Sequence, residues 1–256
     1  MKLQAAINRK IGRAMHDYAM LAEGDSVLVA VSGGIDSLAL TQVLAFWQKK
    51  APIRYTMHCV HIDMEGNGAK IGSAADQTQR ELRRVGFPLT ILPARWKPNT
   101  DTITGSEAVQ ICFRCSRSRR KQLFDHAGEQ GHNKLALGHH RDDIIETFFL
   151  NLTCAGNIST MRPSQELFEG NLHVIRPLAY CHKAEVEKIG RMFGFKGIPS
   201  SCPLSERTRR KDIQEIIEHI YKVLPHAGEQ IFAAMGNVRE DYLLLPKTRR
   251  SRKRRL

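Results

Sequence analysis

The stretch Val27–Ser37 leaves the chain few choices. Five apolar residues, three of them β-branched, run from Val27 to Val31 and stop at Ser32-Gly33-Gly34, the pattern of a short buried strand entering a tight turn. Leu38, Ala39, Leu40, Val43, Leu44 and Phe46 then recur at helical spacing. A strand, a glycine turn and a helix in that order aim backbone N–H groups and a helix N-terminus at a phosphate. Gly33 and Gly34 admit backbone geometries and a close ligand approach that a Cβ would block. Ser32 and Ser37 add hydroxyls, and Asp36 adds a carboxylate able to hold a metal that neutralises phosphates.

The rest of the chain alternates. Residues 1–23 carry Ile7, Ile11, Ala14, Met15, Tyr18 and Leu21 at spacings of three and four, an amphipathic helix that Gly24 ends. Strand signals follow over 53–63, 88–93, 134–138 and 172–177, with helices expected over 70–85, 141–152 and 183–193. This predicts an α/β fold, a Rossmann-like open parallel sheet with helices on both faces. After Pro199 no strand signal remains, and helices are expected over 208–223 and 229–244. The expected organisation is therefore an N-terminal amphipathic helix (1–23), an α/β domain (24–200), a helical C-terminal extension (201–245) and a basic tail (246–256). Open sheets of this kind bind ligands at the carboxyl ends of their strands, near a switch point in strand order. Residues 32–37, 60–63 and 138–143 all fall at such ends.

Charge bears on the partner. The formal net charge is +13, and Lys247, Arg249, Arg250, Arg252, Lys253, Arg254 and Arg255 supply seven of the positive charges with no acid among them. A basic body with a basic arm suits a polyanion such as RNA; the tail alone reads equally well as a solvated end. No apolar run approaches the ~20 residues of a bilayer span, and Met1–Lys10 lacks the apolar centre of a secretory signal. A cytoplasmic protein with no membrane partner is expected.

Six cysteines in such a chain favour metal or redox chemistry over a disulfide framework. Cys112-Phe113-Arg114-Cys115 has metal-ligand spacing, and Ser116-Arg117-Ser118-Arg119-Arg120-Lys121 follows it, so a helix beginning there carries a basic face whose cations favour thiolate over thiol. No second Cys-x-x-Cys occurs. Cys202, in a polar Ser-Ser-Cys-Pro loop, is the best candidate for a third ligand, whereas Cys59, Cys154 and Cys181 lie in or beside apolar segments and read as small buried hydrophobes. Three thiolates leave one position open, which suits a catalytic zinc or an iron–sulfur cluster; a redox pair unrelated to Cys202 is the alternative. A third marker is Gly138-His139-His140-Arg141-Asp142-Asp143-Ile144-Ile145-Glu146. Its acids occupy a first helical turn, where carboxylates complement the helix dipole and a metal–phosphate role is open to them.

Ser-Gly-Gly-x-Asp-Ser after a strand resembles the PP-loop of ATP pyrophosphatases, not a Walker A loop. Together with Cys-Phe-Arg-Cys-Ser-Arg, Gly-His-His-Arg-Asp-Asp-Ile-Ile-Glu-Thr and Val-Ile-Arg-Pro-Leu-Ala-Tyr, in that order, it resembles the tRNA 2-thiocytidine synthetases over roughly residues 20–205. The resemblance implies the PP-loop ATP pyrophosphatase fold in a homodimer, with ATP, Mg²⁺ and a [4Fe–4S] cluster on Cys112, Cys115 and Cys202. It implies sulfuration of a tRNA pyrimidine, cytidine in the anticodon loop: the C2 oxygen is adenylated with release of pyrophosphate, and sulfur from a cysteine desulfurase or sulfide displaces AMP. Ala30, Ser32, Gly33, Gly34, Asp36, Ser37, His61 and Gly138 would contact the nucleotide. Asp36, Asp142 and Asp143 join the cysteines as catalytic candidates, and Arg117, Arg119, Arg120 and Lys121 would hold RNA phosphates. At two points the sequence departs from the family: Ile35 stands where lysine is common, and Ser-Ser-Cys-Pro-Leu-Ser replaces a Cys-x-x-Cys-Gly-Ser. The alternatives are a PP-loop ligase or sulfur-transfer enzyme on another substrate with a zinc-bound cysteine pair, and a non-catalytic RNA-binding protein.

Overall fold

A computed structural model describes residues 3–67, 69–98, 105–204 and 208–244; the basic tail 246–256 lies outside the described residues. The chain divides into two compact units, Met1–Glu215 and Ile216–Leu256. The first contains six strands: β1 (Ser26–Ala30), β2 (Thr56–Asp63), β3 (Leu89–Pro93), β4 (Lys134–Ala136), β5 (Ser164–Leu167) and β6 (Leu172–Ile175). They form one sheet in the order β3-β2-β1-β4-β6-β5, parallel except for β5, which pairs antiparallel with β6. Strand β5 was not expected from the sequence. Ser-Gln-Glu-Leu carries no β-branched residue, and only its hairpin through Phe168, Glu169 and Gly170, all at positive φ, marks it as a strand.

Period-two alternation divides the strand side chains between two cores. Val27, Val29, Val31, Cys59, Ala136 and Ile175 face one side, where they meet Ile7, Ile11 and Ala14 of α1 (Ala5–Asp17), Leu38, Leu40 and Leu44 of α2 (Ile35–Gln48), Leu82 of α3 (Ser73–Arg84) and Val186 and Ile189 of α6 (Lys183–Met192). Leu28, Val60, Leu135, Leu172 and Val174 face the other, against Leu123, Phe124 and Ala127 of α4 (Gly105–Glu129). Because β1 pairs with β2 on one side and β4 on the other, the chain reverses direction across the sheet between β1 and β4, and a crevice opens at their carboxyl ends.

Helix α4 starts at Gly105, earlier than expected, so the cysteine pair lies inside a helix, not ahead of one. Helix α5 (Arg141–Cys154) ends in Cys154, whose side chain is exposed; the expectation of a buried hydrophobe holds for Cys59 and Cys181 and fails for Cys154. The second unit begins within α7 (Arg209–Val223) and contains α8 (Ala227–Ala234) and a 3-10 turn, Glu240–Tyr242. The helix expected over 229–244 therefore stops early, where Gly236 and Asn237 provide the usual residues for leaving a helix. Among the described residues no helix is long and apolar enough to cross a membrane.

Candidate nucleotide and thiolate site

The turn after β1 is braced from within. The Ser37 hydroxyl accepts from the Ser32 N–H at 3.1 Å and donates to the Gly34 carbonyl at 2.9 Å, while Ser32 itself is exposed. Gly33 sits at φ +92°, and a Cβ there would lie 2.6 Å from Thr78 Oγ1, so both conformation and space require glycine. Gly34 is the N-cap of α2 and offers no side chain to the first N–H groups of that helix. Such an end is suited to an anion.

The opposite wall of the crevice follows β4. An ideal Cβ on Gly138 would stand 3.0 Å from the Ser37 nitrogen and the Asp36 carbonyl carbon; only a residue without one lets this loop approach the turn. His140 then caps α5, its N–H donating to Asp143 Oδ2 at 2.9 Å. Asp142 Oδ2 accepts from the Lys183 N–H at 2.6 Å. Burial raises the Asp142 carboxyl, but hydrogen bonds from His182 and the Lys183 backbone, with the charges of His140 and His182, outweigh that and hold it below the usual range. Asp143 and Glu146 are gripped by Arg210 of α7, at 3.0 and 2.6 Å. Nothing in the sequence separates Arg210 from its basic neighbours Arg209 and Lys211, so no sequence signal marks its place in the site.

His61 is buried, with Nδ1 2.8 Å from the Val31 carbonyl. Burial lowers its pKa; the Val31 hydrogen bond, Asp63 and Glu65 oppose, and Arg119 adds to the lowering. Asp63 ends β2, but its oxygens are taken by the N–H groups of Glu65, Gly66 and Gly72, at 2.9, 2.8 and 2.8 Å. It staples its own loop. His139 is held neutral, its pKa pushed down to about 4 by burial first, with Arg176, Arg210 and Arg120 contributing against the opposing Asp143. Its Nδ1 accepts from Arg176 Nε at 3.3 Å. Arg176, directly after β6, is buried and also donates to the Arg162 carbonyl at 2.5 Å. Arg119 and Arg120 of α4 thus act electrostatically on the carboxyl ends of β2 and β4, respectively. Lys121 differs: it pairs with Asp125 at 2.8 Å, one turn along its own helix. Arg117 is exposed.

Three residues apart within α4, Cys112 and Cys115 share one side of the helix. The expectation that the basic run favours thiolate over thiol fails at Cys112: burial raises its pKa, the charges of Cys202 and Cys115 raise it further, and Arg119 alone opposes them. The third thiol is therefore an electrostatic neighbour of the pair. Among the described residues no three His, Cys, Asp or Glu side chains converge as they would on one metal ion.

A mostly parallel sheet with an uncapped serine–glycine turn at its switch point defines the class, an α/β nucleotide-binding protein of the PP-loop type. A family model described as PP-loop domain matches residues 3–216. The tRNA-cytidine(32) 2-sulfurtransferase of Pseudomonas syringae pv. syringae is 36% identical, over 94% of this chain and 87% of its own length. That of Ralstonia nicotianae is 36% identical over 94% and 76%. The chain belongs to the PP-loop family of tRNA-cytidine(32) 2-sulfurtransferases. Its fold is that of the U34-tRNA thiolase NcsA from Methanococcus maripaludis, solved with its [4Fe–4S] cluster, with a TM-score of 0.72 at 20% identity over 94% of this chain and 80% of that one.

Proposed function

We propose that the chain is an ATP-dependent tRNA sulfurtransferase that replaces the C2 oxygen of a tRNA pyrimidine, cytidine in the anticodon loop, with sulfur. The observation that carries this reading is the meeting, across one crevice, of the phosphate turn at Ser32–Ser37 with the Gly138–Asp143 loop, where Gly138 touches the start of α2. Arg119 acts on both Cys112 and the strand-end His61, which links nucleotide and sulfur chemistry through one helix.

A pyrimidine C2 oxygen is a poor leaving group. Attack of that oxygen on the α-phosphorus of ATP forms a C–O–P bond, breaks the α–β phosphoanhydride and releases pyrophosphate. The base is then primed for sulfide to add at C2 and expel AMP, an exchange of oxygen for sulfur with no net redox change. The N–H groups opening α2 and the Ser32 hydroxyl bind the departing phosphates. Asp36 would hold Mg²⁺, which keeps much of its shell for phosphate oxygens and water and so needs few carboxylates. Ala30, His61 and Gly138, at or near the carboxyl ends of β1, β2 and β4, would contact the nucleotide. Asp142 and Asp143 order the opposite loop through their bonds to Lys183 and His140. Cys112, Cys115 and Cys202 would hold a [4Fe–4S] cluster, which with three protein ligands offers one iron as a binding position for sulfide. The target base must leave its stack to reach such a site, and Arg117, Arg119, Arg120 and Lys121 would hold RNA phosphates.

A homodimer completes the reading on family membership, as does a sulfur source: free sulfide directly, or the persulfide of a cysteine desulfurase once a two-electron reductant such as a dithiol has brought it to the sulfide level. The 201–245 segment is read as a helical extension of the 24–200 domain, preceded by the 1–23 helix. The test is mass spectrometry of tRNA nucleosides from cells with and without the protein. A 2-thiopyrimidine that disappears with the gene is expected; unchanged nucleosides would send the search to another substrate.

A further inference from the structure

Ile35, the variable residue of the phosphate turn, is committed to packing. An ideal Cβ on Gly190 would fall 2.4 Å from Ile35 Cδ1, and one on Gly197 would fall 3.4 Å from Ile35 Cβ. Ile35 thus faces α6 and the loop after it, and packs against the core beneath the turn. The segment Ser32–Ser37 contains no cation of its own. Inorganic pyrophosphate or the polyphosphate of a nucleotide would meet backbone donors and a hydroxyl there, and a carboxylate that repels it.

A cation is nevertheless delivered to this point from α6. Lys183, the first residue of that helix, places Nζ 2.8 Å from both oxygens of Asp36, while its backbone N–H bonds Asp142 at 2.6 Å. One residue touches both walls of the crevice. The pair remains accessible, with 43% of the Lys183 side chain and 29% of that of Asp36 exposed. Ion pairs so exposed contribute little to stability, so holding the fold together does not account for it. The same helix makes room for Ile35 at Gly190 and returns a charge at Lys183.

We propose that Lys183 is a polyphosphate-binding residue, taking the part that a cation inside the turn would otherwise play. The inference rests on the ATP site proposed above, in which Asp36 would hold Mg²⁺ and so be released from its pair with Lys183. The ammonium, on its flexible four-carbon stem, then turns to the oxygens of the departing pyrophosphate. Lys183 acts as a charge that changes partners and not as a fixed clasp on Asp36.

The test is calorimetric titration of the full chain with inorganic pyrophosphate and Mg²⁺, and separately with AMP, for the wild type, Lys183→Met and Lys183→Arg. Removing a charge-assisted hydrogen bond weakens pyrophosphate binding by about tenfold or more in Lys183→Met, with Lys183→Arg recovering most of it and AMP affinity little changed throughout. Pyrophosphate bound by Lys183→Met as tightly as by the wild type, or more tightly, would show that Lys183 only neutralises Asp36 and overturn the inference. A wild type that binds no pyrophosphate would overturn the reading of the turn itself. Lys183→Arg separates charge from fold: if it melts normally and binds as weakly as Lys183→Met, a phosphate contact by charge is excluded.

Discussion

Burial fixes the protonation state of His139. Its pKa is pushed down to about 4, against roughly 6.5 in an unfolded chain. Between those values the unfolded chain binds a proton that the native state refuses, so stability rises with pH across the window. The contribution is fully present above pH 6.5 and is lost on acidification through the window, about 3 kcal/mol at most. Denaturant midpoints of wild type and His139→Gln at pH 7 and pH 4.5 check this: the wild type should lose more on acidification, and equal losses would place the sensitivity elsewhere. Asp36 permits a sharper prediction. If its carboxylate holds the metal on the departing phosphates, Asp36→Ala should lower tRNA-dependent pyrophosphate release by about 100-fold or more, the usual scale for removing one preorganised electrostatic group, while leaving the melting temperature nearly unchanged because the Lys183 pair is exposed. Pyrophosphate release close to wild type would remove Asp36 from the chemistry.

The turn between β1 and α2 is where conformation and space coincide. Gly33→Ala would put a Cβ at φ +92° and 2.6 Å from Thr78 Oγ1, at a cost of roughly 1–3 kcal/mol. Thermal unfolding should show the loss, and pairing it with Thr78→Ala should recover the steric part and leave the backbone part. Full recovery would mean that φ carries no strain there. This turn was legible in the sequence because its physics is local: apolar run, two glycines, helical period. The parallel order of β1 to β4 was legible for the same reason, as alternating periods. What the sequence hid is non-local. Strand β5 exists through pairing with β6, not through its own composition. Helix α4 runs back past Cys112 to Gly105 through residues with little periodic signal. The partners of Asp36 and Asp143, Lys183 and Arg210, come from 147 and 67 residues away, and no spacing rule connects them. Asp63 illustrates the reverse: a strand-end acid in a favourable place proves to be saturated by three backbone N–H groups.

Two runs of positive charge stand out in the sequence, Arg117, Arg119, Arg120 and Lys121 on α4 and the seven cations of Lys247–Arg255. They make different predictions for RNA. Each cation that neutralises a phosphate releases condensed counterions, so the slope of log K against log salt reports how many phosphates the protein neutralises. Arg119 and Arg120 lie near the strand ends that carry His61 and His139, so an alanine at either should lower the slope by about one unit or less and impair thiolation as well. The tail run contains seven cations and no acid of its own. If it tracks the RNA backbone, deleting Lys247–Leu256 should weaken tRNA binding and make the slope shallower by several units, about 0.7 for each phosphate that is no longer neutralised, while pyrophosphate release at saturating tRNA stays near wild type. Filter binding of unmodified tRNA across a salt series measures both. A deletion that leaves the slope unchanged returns the tail to a solvated end and assigns the RNA-binding charge to the body, where the α4 variants would then account for most of the salt dependence.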